Sequence, residues 1–332
     1  MKKKNKIKKI RKKTNIQQEK KASIEEVHIV GTFQKNQNFG FVVPDHKSYE
    51  TDIFIPKSKF NKAKNNQKVV VKINKKEERG RKAEGEIIEI LGSLNKSGVD
   101  MISLIKEHNL PYEFPIQVIK EAKKCGTTID EKEIKNRVDL RENVIFTIDG
   151  EDAKDLDDAV GIKKLENGNY KLDVHIADVS FYVKEGSFLD SEAQIRGTSV
   201  YMLNTVIPML PKELSNGICS LNQGEDRFAI TCSMEINNKG KVVSNEVFKS
   251  VIRVTRRMNY KNVQKILDKS KNSVLEEYKD FIKDFELMEE LAKILKKRRI
   301  KQGYLNLDIP ETKIELDKKR KTNKYWKIWD IF

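Results

Sequence analysis

Thr147-Ile148-Asp149-Gly150-Glu151-Asp152-Ala153-Lys154-Asp155-Leu156-Asp157-Asp158-Ala159-Val160 sets an acidic run between two apolar strands. Residues 149–158 hold six carboxylates and one Lys, a local charge of −5. Val144–Ile148 before the run and Ala159–Ile162 after it are apolar enough to be buried strands. Packing those strands gathers the carboxylates at one end of a sheet, where mutual repulsion raises their pKa values. A divalent cation relieves that repulsion. Every candidate ligand is oxygen, so Mg²⁺ fits, Mn²⁺ is also suited, and zinc is not. Asp155 and Asp157 stand two apart and would share a strand face, with Asp158 joining them if the backbone turns there. Three carboxylates suit metal-assisted phosphodiester chemistry, in which two ions roughly 4 Å apart hold the attacking water and the leaving oxygen. A calcium-binding EF-hand fails on spacing, because no start at Asp149, Asp152 or Asp155 supplies oxygen ligands at positions 1, 3 and 5 with Gly at 6. On spacing alone, a solvated acidic turn stays open as the alternative.

Working outward, the acidic run opens an α+β domain over 139–317. Strands Val144–Asp149, Asp158–Lys163 and Tyr170–Val174 come first. A long helix is expected from about Val274 to Ile300, where Leu275, Tyr278, Ile282, Phe285, Leu291 and Leu295 form one apolar stripe. Upstream, Val27–Phe33, Phe39–Pro44, Asp52–Pro56, Val69–Ile73 and Gly85–Leu91 are short β-rich runs split by turn residues. Five such strands within 26–92 fit a small closed OB-type barrel. A helical connector spans 93–138, with candidates Met101–Leu110, Pro115–Lys124 and Glu131–Arg137.

The 332 residues carry 66 Lys+Arg against 50 Asp+Glu, a formal charge of +16. The charge sits at the ends: residues 1–21 contribute +10, residues 313–332 contribute +4, and the body between them only +2. Residues 1–25 read as a flexible basic arm with nonspecific attraction to phosphates, or equally as a solubilising tail. No run approaches the roughly 18 apolar residues of a membrane span, and the basic N-terminus lacks the apolar segment of a signal peptide. Cys125, Cys219 and Cys232 are odd in number and far apart, and the four histidines never cluster, which argues against a disulfide scaffold or a zinc site. The expectation is a cytoplasmic protein with a nucleic-acid partner, no membrane contact and no small-molecule cofactor; composition says nothing of protein partners.

At the acidic run the sequence resembles the ribonuclease II/ribonuclease R family of exoribonucleases, its ribonuclease R branch above all. The resemblance extends through Val174-His175-Ile176-Ala177-Asp178-Val179-Ser180, Arg196-Gly197-Thr198-Ser199-Val200-Tyr201, Ile207-Pro208-Met209-Leu210-Pro211 and Leu214-Ser215-Asn216-Gly217-Ile218-Cys219-Ser220-Leu221-Asn222. It implies a processive, hydrolytic, Mg²⁺-dependent 3′→5′ exoribonuclease that degrades single-stranded RNA to nucleoside 5′-monophosphates. It also implies that Asp149, Asp155, Asp157 and Asp158 form the metal site, with Asp155 and Asp157 catalytic. Asp157 would be the residue whose loss removes chemistry and leaves RNA binding. Tyr201 matches a tyrosine that packs on the terminal nucleotide, although an isolated strand Tyr is by itself more often core. Arg227 could contact a phosphate but reads rather as a surface ion pair, and His175 and Asp178 read as structural groups in an apolar run.

The barrel resembles the family's cold-shock domain. Asn38-Phe39-Gly40-Phe41-Val42 matches its first RNA-binding motif and Asp52-Ile53-Phe54-Ile55-Pro56 its second. Phe39, Phe41 and Phe54 are then base-stacking residues, with Gly40 leaving that face's backbone open. Asn38 and Pro56 depart from the cold-shock pattern, which ordinarily has Gly and His there. The match is expected to fade after Asp317 into an atypical basic tail, 318–332. No Arg-Arg-Tyr-Pro-Asp-type segment and no C-terminal RNA-binding barrel is found, so truncation within the catalytic domain is expected, with impaired activity. The competing function is a non-catalytic RNA-binding remnant acting through the barrel.

Overall fold

The computed structural model describes residues 28–78, 80–203, 205–269, 273–305, 311–316 and 322–328. The basic arm 1–25 lies outside them. The chain divides into two compact units: the first runs to Tyr112 and also takes in Glu311–Ile328, and the second begins at Glu113.

In the first unit, His28–Lys35 (β1), Phe39–Pro44 (β2), Ile53–Pro56 (β3), Gln67–Lys75 (β4) and Glu84–Ser93 (β5) close a barrel in the order β1-β2-β3-β5-β4. Alternation drives the closure: Phe33, Val42, Ile53, Ile55, Val69 and Val71 point inward and are fully or almost fully buried. Helix α1 (Val99–Glu107) belongs to this unit, burying Val99 and Ile105. The expected connector 93–138 is therefore divided. Its remaining helices, α2 (Ile116–Lys124) and α3 (Glu131–Ile134), lie in the second unit, where Val118 and Ala122 of α2 pack on Leu189, Leu214 and Ile218.

The second unit is built on a seven-stranded mixed sheet. Its strands are Val138–Asp139 (β6), Phe146–Asp149 (β7), Asp158–Lys164 (β8), Tyr170–Ala177 (β9), Asp226–Ile236 (β12), Val242–Arg253 (β13) and Arg256–Asn259 (β14). They run in the order β14-β7-β8-β9-β12-β13-β6, with parallel pairs only at the two edges. Between β9 and β12 lie α4 (Val179–Tyr182), α5 (Phe188–Arg196), a hairpin of Val200–Met202 (β10) and Thr205–Ile207 (β11), and a π-type turn at Glu213–Ile218.

Helix α6 (Tyr260–Leu267) and the segments after it cover the β7–β9 side of the sheet. The single helix expected over 274–300 is interrupted. Ser273–Glu277 (α7) ends before a tight turn at Lys279–Phe281, and Ile282–Lys301 (α8) follows. The apolar stripe survives the break because Phe281 and Phe285 both pack on Phe146, at ring-centroid distances of 5.3 and 4.8 Å. Leu291 continues it against Ile162, Tyr170 and Ile236. Glu311–Leu316 (β15) and Thr322–Ile328 (β16) form an antiparallel hairpin, so the tail expected to be atypical from 318 contains a strand. No helix of the described residues is long and apolar enough to cross a membrane.

Candidate active site and RNA-binding face

The acidic run leaves β7 at Asp149 and re-enters the sheet only at Asp158, so residues 150–157 form a loop. Asp155 and Asp157 are thus not strand residues, contrary to the sequence expectation. They nonetheless face away from the core, because Leu156 between them is 1% exposed and is planted among Ile145, Ala159, Leu221 and Ile252. Burying one Leu supplies roughly 1.5–3 kcal/mol, enough to fix which way its two neighbours point.

Tertiary hydrogen bonds replace the missing ladder. Ser220 is fully buried; its Oγ donates to the Lys154 carbonyl (2.9 Å) and accepts from the Leu156 N–H (3.2 Å). The Leu221 N–H donates to the Leu156 carbonyl and the Ala177 N–H to that of Asp157, both at 2.9 Å. From β14, Arg257 Nη2 donates to the carbonyls of Ala153 (2.5 Å) and Glu151 (3.2 Å). Ser220 and Arg257 are the residues that sequence reasoning missed. Nothing within Leu214–Asn222 distinguishes Ser220 from Ser215, and Arg257 carries no local signal.

Electrostatics follow from this crowding. Partial burial holds the Asp149 carboxyl above the usual carboxylate range, with the negative charges of Asp158, Asp155 and Asp157 adding to it and Arg257 opposing. Partial burial also raises Asp157, reinforced by Asp155 and Asp158. The four sequence-identified aspartates therefore lie within each other's fields. Among the described residues, though, no three acidic, His or Cys side chains converge closely enough to hold an ion as they stand. By chemistry the donor set fits a hard divalent cation: all oxygen, mutually repelling and partly desolvated.

Tyr201 lies on β10 and is 66% exposed, which excludes a core role. Its hydroxyl donates to Asp155 Oδ2 at 2.6 Å, and that bond, aided by burial, pushes its pKa up to about 12. Asp149, Asp155, Asp157 and Tyr201 line one cleft of about 700 Å³, with Lys212 and Asn216 on its wall.

The neighbouring candidates resolve differently. His175 is fully buried, bonded through Nδ1 to Thr231 Oγ1 (2.8 Å), and burial drops its pKa to about 4. Asp178 accepts from Arg137 Nη2 at 2.7 Å in a buried pair. Arg227, expected as a surface ion pair, is instead 4% exposed. It donates to the carbonyls of Ser220 (2.8 Å) and Gly217 (3.3 Å) while paired with Glu225, and so braces the segment that holds the acidic loop.

In the barrel, Phe39, Phe41 and Phe54 form a ring triad with centroids 5.6 to 6.0 Å apart. Phe39 is exposed, and Lys82 Nζ lies 4.9 Å from the Phe41 centroid. Gly40 does not open this face. A Cβ there would point inward, 2.4 Å from the Phe33 ring, because strand alternation sends residue 40 to the opposite side from 39 and 41.

Comparison with known proteins agrees with this layout. The RNB domain model matches residues 137–328, past the Asp317 limit read from sequence, and the cold shock domain model matches residues 41–115. Ribonuclease R of Thermotoga maritima is 47% identical over 87% of this chain, and that of Escherichia coli is 37% identical over 88%. The chain spans 41% and 36% of those two proteins. Among solved structures, Mycoplasma genitalium RNase R in complex with double-stranded RNA superposes with a TM-score of 0.83 at 25% identity, covering 92% of this chain and 53% of that one. The same enzyme with ribose-methylated single-stranded RNA superposes with the same score. A cold-shock barrel, an RNB-type sheet bearing the aspartate loop, and these relatives place the chain in the RNB-domain family of exoribonucleases, on its ribonuclease R branch.

Proposed function

We propose that the acidic cleft is the hydrolytic centre of a 3′→5′ exoribonuclease that degrades single-stranded RNA to nucleoside 5′-monophosphates in the cytoplasm. Mg²⁺ is the cofactor, with Mn²⁺ able to replace it. One observation carries the reading: Asp149, Asp155, Asp157 and the exposed Tyr201 line a single cleft. Asp149, Asp155, Asp157 and Asp158 are the residues that would hold the cation. Bound there, it supplies Lewis acidity toward the phosphodiester and lowers the pKa of water.

The chain's own residues do the rest. Leu156, Ser220 and Arg257 preorganise the loop, so the carboxylates need little reorganisation when charge develops. With its pKa near 12, Tyr201 keeps its proton at neutral pH, orients Asp155 through it, and offers its ring face to a terminal base. Purified protein given 3′-labelled single-stranded RNA and Mg²⁺ should release mononucleotides. Equal digestion by Asp157→Asn would refute the site assignment.

A second reading is favoured by the Phe39–Phe41–Phe54 triad beside Lys82: RNA binding through the barrel without cleavage. It predicts salt-sensitive binding weakened by Phe41→Ala, and metal-dependent release of mononucleotides by nuclease-free protein rules it out.

A further inference from the structure

A roomier cleft of about 1080 Å³ lies in the second unit outside the acidic site, and Asn216 lines both. Four cations face it: Lys135, Arg141, Arg227 and Arg253. Its three acids are unequally engaged. Asp226 is saturated by two guanidinium groups, accepting from Arg253 Nε at 2.7 Å and Arg141 Nη1 at 3.1 Å. Glu225 is paired with Arg227. Among the described residues lining the cleft, Glu131 is the acid with no such partner, and Glu142, outside the lining, also acts on the Arg253 charge.

Arg253 is held by one edge, through Nε, and among the described residues its two terminal nitrogens have no partner. Lys135, exposed just after α3, has none either. A guanidinium fixed on one edge and open on the other is a preorganised receptor for phosphate oxygens. Strand register gives its distance from the chemistry. Asp158, Ile176, Ile230 and Lys249 form one row across β8, β9, β12 and β13, and Arg253 lies four residues further along β13. Strand spacing and rise put Arg253 about 20 Å from Asp158. That is roughly six nucleotides at the stacked spacing of about 3.4 Å.

We propose that the Arg253–Lys135 cleft holds the phosphodiester backbone of the RNA strand whose 3′ end enters the acidic cleft, several nucleotides upstream of that end. The proposal rests on the reading of the acidic cleft as the cleavage site, and deepens it by assigning a backbone contact to residues outside that site. The contact is with phosphate, so it is indifferent to base sequence.

The test measures binding of the full chain to a fluorescent 12-nucleotide oligoadenylate across a salt series, in EDTA so that no cleavage occurs. Arg253→Ala and Lys135→Ala should each weaken binding about 3- to 5-fold. Each should also flatten the slope of log K against log salt by about 0.7, the share of one single-strand phosphate. Arg253→Lys should retain part of the slope, and an oligouridylate should lose the same amount as the oligoadenylate. Adenosine 5′-monophosphate should bind the wild type and Arg253→Ala equally. Unchanged 12-mer affinity and slope in both Ala variants would overturn the proposal. So would selective loss of the mononucleotide, which would make the cleft a nucleotide pocket and not a strand path. Because no divalent ion is present, this result stands apart from the cleavage assay: a slope change without Mg²⁺-dependent cleavage would refute the proposed activity and leave the cleft's anion binding intact.

Discussion

The barrel and the acidic loop present their functional side chains by opposite means. In the barrel, Phe39 and Phe41 face outward because β2 is a strand and Gly40 between them faces Phe33. In the second unit, Asp155 and Asp157 face outward because one buried leucine separates them in a loop that has no ladder of its own. A strand carries its own hydrogen bonds, so its presentation is local. The loop borrows its order from Ser220, Leu221, Ala177 and Arg257. Damage should therefore stay local in the barrel and spread in the second unit.

The widest separation between the two is expected from Asp157→Asn. Cleavage of 3′-labelled RNA should fall at least about 100-fold, while RNA affinity in EDTA stays within twofold of wild type. A parallel loss of binding would mean that the two regions do not divide the work in this way.

His175 supplies the next effect, through pH. Its folded pKa of about 4 lies below the 6.5 of an unfolded imidazole, so the unfolded chain binds the proton more readily. The stability it contributes is complete above pH 6.5 and is lost as pH falls toward 4, up to about 3 kcal/mol. Thermal melts should show the second unit weakening over that window, and His175→Gln should flatten the profile. A His175→Gln profile parallel to wild type would remove His175 from the account.

Ser220→Ala leaves the Lys154 carbonyl and Leu156 N–H unsatisfied, a cost of about 1–3 kcal/mol. Denaturant melts should register that cost, and cleavage should fall more than binding does. Ser220→Thr, which keeps the hydroxyl, should recover part of the cleavage. Smallest is Phe41→Ala, which removes one ring of three: affinity for single-stranded RNA should drop about fivefold, near the lower limit for a stacked base, with the melting temperature almost unmoved. A large loss of stability there would show that the triad is core, not platform.

Legibility in the sequence tracks the same contrast. The five barrel strands and the phenylalanine pair announce themselves by alternation within a few residues. The aspartates announce themselves by charge density. What stayed hidden depends on partners remote in sequence: Ser220 lies 64 residues from Leu156, and Arg257 lies 106 from Glu151. Arg227 misled for a similar reason, since an arginine flanked by Glu225 and Asp226 reads as a surface group until the carbonyls of Gly217 and Ser220 are folded over it. The stripe over 274–300 was visible by its spacing, but the turn at Lys279–Phe281 that interrupts it carries no Gly or Pro to mark it.

The long reach of Arg257 also imposes an order in time. On a ribosome adding about 5–20 residues per second, the acidic loop is synthesised roughly 5–20 s before the arginine that ties it down. Through that interval the six carboxylates of residues 149–158 repel one another on a segment that Ala177, Ser220 and Leu221 can hold only over 154–157, with the carbonyls of Glu151 and Ala153 still untied. The nascent sheet then has its β7–β8 hairpin but not the parallel β14 strand that flanks it. Maturation of the site is therefore a late event in biogenesis, set by the arrival of β14 rather than by the synthesis of the aspartates themselves.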